Sequence, residues 1–253
     1  MLLLFDVGNS NISFAIYNDD ELINKWRIKT DINKTADEYS IILGNLIKDY
    51  SIDGIVIASV VPIVTSLLSA FCVKYLNTEP LVIGPGIKTG LDIKLNNPKE
   101  IGADLIASAV GAKVKYPQPS IIIDMGTATT ISLLDKNCFN GGVLMPGVET
   151  SLFGLVTKTA LLPHIDIKAP KNIIERETVA CMQSGIVFGN SAMLDGMIDL
   201  IEAEFGEKCF IIATGGLAKY IIPHCKHQIK LDKHLIYDGL REIYSKNTLI
   251  EAK

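Results

Sequence analysis

Positive charge is nowhere concentrated in this sequence. Its 24 Lys+Arg stand against 28 Asp+Glu, a formal net charge of −4, and no basic stripe is offered to nucleic acid or to a membrane surface. Cysteine is scarce: five in 253 residues, odd in number and without a CxxC pair. That argues against a disulfide framework and a zinc ribbon, and leaves the expectation of buried free thiols in a reducing cytosol. Long apolar runs are missing as well. The longest, about residues 55–64, is interrupted by Pro62 and falls well short of the roughly 20 residues of a membrane helix. The opening MLLLFDVGNS has no basic start and meets an Asp at position 6, so it reads as a strand and not as a signal peptide. Neither G-x-x-x-x-G-K-[ST] nor G-x-G-x-x-G occurs, which argues against a P-loop and a Rossmann nucleotide site. The expectation is a cytoplasmic protein with neither a nucleic-acid nor a membrane partner.

What is present is a folded α/β chain. Apolar residues make up 48% and charged residues 21%, enough to bury a core. Short apolar runs (residues 2–7, 11–18, 22–30, 54–60, 80–83) alternate with helical patterns, the signature of strands and helices in turn. Thr35 and Glu38 are spaced as a capping box before Ile41, Ile42, Leu46 and Ile47. Pro62 opens a second helix carrying Leu67, Leu68, Phe71 and Leu76, and a third is expected from about Lys99 to Lys115. The Pro-dense YPQPS then marks a boundary, giving domains 1–116 and 117–253. The second half continues with three strands, helical stretches near 147–160 and 178–205, the strand CFIIATGG, and two short helices over LAKYII and HLIYDGLREIYSKN.

The second half opens as the first does. LLLFDVGNSNISFAIYNDD and IIIDMGTATTISLLDKN are each an apolar strand ending in D-x-G, short polar residues, then another apolar strand, with Asp6 and Asp124 118 residues apart. That spacing implies two domain-sized copies and not a solenoid. The chemistry of such a hairpin suits phosphate. A strand delivers its last side chain to the carboxyl edge of the sheet, where α/β folds bind ligands. A carboxylate there can hold hydrated Mg²⁺. Gly8 and Gly126 let backbone N–H groups approach an anion, and Asn9, Ser10, Thr127, Thr129 and Thr130 offer short donors. Two facing hairpins would grip a phosphate chain from both sides. ATGG at 213–216 supplies a glycine pair that can pass against a flat nucleoside.

The ordered set DVGNSN (6–11), GPGIKTG (84–90), NPKEIGAD (97–104), DMGTATT (124–130), GGVLMPGVETS (141–151), ETVACMQSG (177–185) and ATGG (213–216) closely resembles the type III pantothenate kinases. The D-x-G hairpins alone are shared with the wider actin, hexokinase and Hsp70 superfamily. The resemblance implies two ribonuclease-H-like halves with ATP and pantothenate in the cleft between them. It implies phosphorylation of the primary hydroxyl of pantothenate, the first step of coenzyme A synthesis, with Mg²⁺, a monovalent cation (K⁺ or NH₄⁺) and a homodimer. Carried over, Asp6, Val7, Gly8, Asn9, Ser10, Asn11, Ile12 and Ser13 form the ATP phosphate loop, with Asp6 holding Mg²⁺ through water. Gly126, Thr127, Gly215 and Gly216 also contact ATP. Gly102, Ala103 and Asp104 line the acceptor site, Asp104 being the proton acceptor. Asp124 is the monovalent-cation ligand and Thr178 a substrate contact.

Two positions depart from the family pattern, both on the acceptor side. Leu105 stands where the family has Arg after the catalytic Asp, and Leu95 where it has a substrate-contacting Tyr. An arginine fork suits the carboxylate of pantothenate, and leucine offers neither donors nor charge. Alternatives therefore stay open: a paralogue acting on another small alcohol, or a non-catalytic regulatory protein on the same scaffold. The retained Asp6, Asp104 and Asp124 favour the enzyme. His224, Cys225, His227 and His234 read as a solvated polar loop and not as a metal site. The bulky run through Met182, Ile186, Val187, Phe188, Met193, Leu194, Met197 and Ile198 reads as core, part of which the family resemblance turns into a dimer face.

Overall fold

The central strand of each sheet is the first strand of each repeat. The computed structural model describes residues 1–248. In the first sheet β1 (Leu2–Val7) pairs antiparallel with β2 (Asn11–Asn18) and parallel with β4 (Gly54–Ser59). Adding β3 (Glu21–Lys29) and β5 (Leu81–Val82) gives the order β3-β2-β1-β4-β5. In the second, β7 (Ser120–Met125) pairs antiparallel with β8 (Ala128–Asp135) and parallel with β10 (Phe210–Thr214). With β9 (Cys138–Pro146) and β11 (Lys230–Leu231), the run β9-β8-β7-β10-β11 repeats the first order, and a short β6 (Asp92–Ile93) is added beside β9. The repeat read in the sequence is thus a repeat of topology and of pairing direction.

Two compact units result. One holds Met1–Leu91, Asn96–Val114 and the segment from Leu235; the other holds Asp92–Leu95 and Lys115–His234. The switch at 114/115 lies next to the expected boundary, but the last helix does not follow the chain order. α7 (Leu235–Thr248), placed with the second domain by the boundary at 116/117, packs on β1 and β4 of the first unit. The reason is period-2 burial. Leu3, Phe5 and Val7 face the core shared with α1 (Ala36–Ile47) and α2 (Pro62–Leu76). Leu4, Ala15, Val56 and Ala58 are also fully buried, so the opposite face needs its own cover. The apolar side of α7, with Leu235, Ile236, Tyr237, Leu240 and Ile243 buried, meets that need.

Local chemistry accounts for the helix ends. Thr35 and Glu38 form the expected capping box, Thr35 Oγ1 accepting from the Glu38 N–H at 3.2 Å and Glu38 from the Thr35 N–H at 2.8 Å. The buried stripe of α1 is Tyr39, Leu43 and Ile47, while Ile41 is 66% exposed. The third helix starts later than expected. Pro98–Glu100 is a separate 3-10 turn, Ile101 is extended, and α3 runs Ala103–Lys115. α4 (Val148–Thr157) and the 28-residue α5 (Thr178–Phe205) follow. In α5, Met182, Ile186, Val187, Leu194 and Ile198 are buried, so most of the run offered to a dimer face belongs to the core of the unit itself. A one-turn α6 (Ala218–Ile221) precedes the His224–His227 loop, whose backbone is tied down by the buried Asp195. All five thiols are free, but Cys181 is exposed and Cys209 and Cys225 only half-buried.

α3 and α7 touch backbone to backbone within the first unit. A Cβ at Gly239 would fall 1.8 Å from the Ala107 carbonyl oxygen, and one at Gly111 2.1 Å from that of Leu235. Gly44 in α1, by contrast, has open space where a Cβ would stand. Gly239→Ala is expected to destabilise the protein by about 3 kcal/mol, as overpacking does. Gly44→Ala should stabilise by about 0.5–1 kcal/mol, by lowering the entropy of the unfolded chain. Urea melts of both variants check the pair.

Candidate active site

In the first unit, β1 ends in the loop Gly8–Asn9–Ser10. The Gly8 N–H donates to the Asn11 carbonyl at 3.0 Å, and β3 clamps the loop from outside. Thr30 Oγ1 donates to the Gly8 carbonyl at 2.7 Å and the Thr30 N–H to the Ser10 carbonyl at 3.1 Å. Asp6 stands opposite Ser13 across the ladder. Val7 and Ile12 are core residues, so of that expected loop only their backbone is available to a ligand. Asn9 and Ser10 are exposed at the tip.

The same strand end meets the acceptor motif. The Val60 N–H donates to the Val7 carbonyl at 3.0 Å, and Val60 Cγ1 lies 3.4 Å from where a Gly102 Cβ would be. Such a Cβ would also sit 2.3 Å from Asp104 Oδ1. Gly102 therefore leaves room for the carboxylate itself. Asp104 is in the first turn of α3, and its Oδ1 accepts from the Leu105 N–H at 2.8 Å. Burial pushes this carboxyl above the usual carboxylate range, against the pull of the backbone N–H groups. Ala103 is buried, so only its backbone can line a site. The first unit thus brings Asp6, Ser13, Gly102 and Asp104 to one edge of its sheet.

In the second unit, the β7–β8 loop is Gly126–Thr127, both exposed. The Gly126 N–H donates to the Ala128 carbonyl at 3.0 Å. The start of α4 holds the loop: the Gly147 N–H and Thr150 Oγ1 both donate to the Thr127 carbonyl, at 3.1 and 2.6 Å. Gly215 has φ +94, and a Cβ there would fall 2.5 Å from the Met125 carbonyl oxygen. The expected glycine pair and the second hairpin are therefore in contact. Asp124 pairs with Thr130 on one side and Thr214 on the other, a row of three oxygen-bearing side chains across adjacent strands. The Thr130 hydroxyl is buried and has no hydrogen-bond partner among the described residues. Leu95 lies elsewhere, with Cδ2 3.8 Å from where a Gly141 Cβ would be. Thr178 is exposed at the start of α5.

The family model described as Type III pantothenate kinase matches residues 2–200. The chain belongs to the type III pantothenate kinase family. The type III pantothenate kinase of Exiguobacterium sibiricum is 47% identical over 253 residues, covering 98% of this chain and 100% of that one. That of Acholeplasma laidlawii is 43% identical over 247 residues, covering 98% and 99%. Among solved structures, MreB 5 of Spiroplasma citri bound to AMPPNP has a similar fold, with a TM-score of 0.54 at 13% identity over 99% of this chain and 97% of that one. The fold is that of two ribonuclease-H-like units of the actin and hexokinase type. The type III pantothenate kinase match ends at residue 200, so Gly215 and the whole of α7 lie beyond it.

Sequence reasoning passed over one buried group. Tyr237 in α7 is buried, and burial, with the Asp6 charge after it, pushes its phenol far above the usual value. Its only signal in the sequence is its place on an amphipathic helix. Among the described residues no group of three or more His, Cys, Asp and Glu is placed to hold a metal.

The glycines divide by cause. A Cβ at Gly126 would meet nothing closer than 3.6 Å, whereas one at Gly215 collides with the Met125 backbone. The fold tolerates a side chain at the first and not at the second. Gly126→Ala is expected to leave the urea midpoint within about 0.5 kcal/mol of the parent while weakening ATP binding about tenfold, a loss of roughly 1.4 kcal/mol. Gly215→Ala should destabilise by at least about 2 kcal/mol, combining strain at positive φ with overpacking. Calorimetric titration with ATP and denaturant melts separate the two.

Proposed function

We propose that this chain transfers the γ-phosphate of ATP to the primary hydroxyl of pantothenate, the first step of coenzyme A synthesis, with Asp104 as the general base. Membership of the type III pantothenate kinase family supports the reaction. The observation that carries the base is the half-buried Asp104 carboxylate, whose affinity for a proton is raised by its surroundings. A base works best as its pKa approaches the working pH. The rest of phosphoryl transfer is positioning and charge neutralisation.

In this reading Asp6, Gly8, Asn9, Ser10, Asn11 and Ser13, with the backbone of Val7 and Ile12, hold the phosphates. Gly126, Thr127, Gly215 and Gly216 hold the nucleotide. Gly102, Ala103, Leu105, Leu95 and Thr178 are assigned to the acceptor. Mg²⁺ neutralises charge on the phosphates when bound, and Asp6 is the carboxylate that would hold it through water. The row Thr130–Asp124–Thr214 fits a monovalent cation: it offers one carboxylate between two neutral hydroxyls, and one hydroxyl is buried without a partner. A homodimer belongs to the same reading. Leu144, Phe153, Leu161, Ile173 and Ile174 of the second unit are exposed, apolar side chains of the kind that a second copy would cover. So does a cytoplasmic location; no described helix is long and apolar enough to cross a membrane.

A second acceptor reading is favoured by Leu95 and Leu105 alone, which offer no charge to a substrate carboxylate. The purified protein is expected to phosphorylate pantothenate with ATP and Mg²⁺, and to need K⁺ or NH₄⁺ in place of Na⁺. Pantothenol used as well as pantothenate would move the acceptor to an uncharged alcohol. ATP binding without product from either would overturn the pantothenate reading and move the acceptor to another small alcohol; the absence of both product and ATP binding would overturn the kinase reading.

Asp104 also ties activity to stability. In the unfolded chain its carboxyl titrates near 3.9; burial in the fold raises it. The folded form therefore keeps a proton that the unfolded form has lost, and stability falls as pH rises through the folded value. Asp104→Asn is expected to lower kcat at least about 100-fold and to raise stability at pH 7. That stability gain should vanish below about pH 4. Denaturant melts across pH, beside turnover, check both signs.

A further inference from the structure

The acceptor motif and the first hairpin share one apolar neighbour that the reaction as described does not use. Val60 follows β4 at the carboxyl edge of the first sheet. Its N–H donates to the Val7 carbonyl at 3.0 Å, which ties it to the strand that delivers Asp6. Its Cγ1 lies 3.4 Å from where a Gly102 Cβ would be, and Asp104 Oδ1 lies 2.3 Å from the same point. The valine methyl and the carboxylate thus flank the one place where Gly102 has no side chain.

The backbone around Val60 is pinned on both sides. The Val61 N–H donates to Ser59 Oγ at 3.1 Å, and the Val61 carbonyl accepts from the Thr65 N–H at 3.0 Å. Pro62 then opens α2. Val61 packs against the core shared with α1 and α2, whereas Val60 is half-buried and keeps part of its surface open. A β-branched side chain is also stiff at χ1. Val60 is therefore a rigid apolar wall and not an adaptable one.

On the proposed reading, the acceptor hydroxyl lies between Asp104, which takes its proton, and the phosphates held at the first hairpin. Val60 faces the motif of the first and is bonded to the strand of the second, so the carbon bearing that hydroxyl passes it. In pantothenate the next carbon carries two methyl groups, a bulky apolar centre beside the reacting oxygen. An apolar wall removes such methyls from water, and a polar side chain in its place would lose its own hydration to them. We infer that Val60 is a specificity-determining residue, its side chain packing against the two methyl groups and so setting the reacting hydroxyl against Asp104. The inference rests on the reading of pantothenate as the acceptor and Asp104 as the base.

The test compares kcat/KM for pantothenate with kcat/KM for the analogue that has hydrogens in place of the two methyl groups, in the full chain. The parent should prefer pantothenate at least about tenfold, the discrimination an apolar pocket gives against a missing methylene. Val60→Ala should lose about tenfold on pantothenate and less than about twofold on the analogue, with KM for ATP unchanged. Val60→Thr, which keeps the branched shape, should shrink the preference in the same direction. Losses of equal size on both substrates make Val60 a packing residue; they overturn the inference and leave the kinase reading standing. So does a preference that neither variant alters. A parent that phosphorylates neither substrate overturns the pantothenate reading and the inference together.

Discussion

The contact of α3 with α7 sets the geometry of the first unit. At Gly111 and Gly239 neither helix has room for a Cβ against the other's carbonyl oxygens. Helices packed at backbone distance have few alternative crossings, and a close-packed interior transmits any shift. α3 begins at Ala103 and carries Asp104 one residue later; α7 begins at Leu235 and carries Tyr237 in its first turn. Asp104 and the buried phenol are thus placed by one steric fact, two turns along α3 from the first and within a turn of the second. α7 in turn lies on β1, the strand that delivers Asp6. Removing a methyl group twice, at 111 and 239, is what lets a helix from the far end of the chain serve the hairpin at its start.

The two repeats keep one topology and differ in what flanks the central acid. In the first sheet the row is Ser13–Asp6–Ala58, in the second Thr130–Asp124–Thr214. The strand order and pairing directions are the same, so the difference lies in side chains and not in backbone. Alanine at 58 opens space over the first sheet. Threonine at 214 fills the matching place with an oxygen. On the proposed reading this separates two ions: a hydrated divalent ion, which keeps its waters and needs few protein ligands, and a weakly charged one that prefers several neutral oxygens. Duplication supplied two acids at equivalent edges, and the neighbours at a single register position distinguish them.

How much of this was legible follows from what a sequence pattern encodes. The hairpins were visible because an apolar run that stops at D-x-G fixes both the strand and its end. The capping box at Thr35 was visible because its partners are three residues apart and local. The late start of α3 was hidden, since Pro98–Glu100 is helical in composition but closes a separate turn before an extended Ile101. Amphipathicity showed that α7 has a buried side but not which sheet it covers, because periodicity carries no partner. The same limit hid Tyr237, and it made the α5 run ambiguous between core and interface. Val7 and Ile12 entered the phosphate loop with the segment carried over from the family, although strand alternation already turns both toward the core.

Leu105 shows how a departure from a family pattern can be read twice. As a missing arginine it removes a partner for an acceptor carboxylate. As a neighbour of Asp104 it has a second effect. An arginine at 105 would pull the Asp104 titration down, because an opposite charge favours the ionised form. Leucine adds no such charge, and burial is the largest influence on that carboxyl. On the proposed reading, the same substitution removes a partner for an anionic acceptor and adds no charge that would lower the proton affinity of Asp104. The two effects act on different quantities, KM for the first and kcat for the second. On that reading, a poorer grip on the acceptor and an undiminished proton acceptor follow from one side chain.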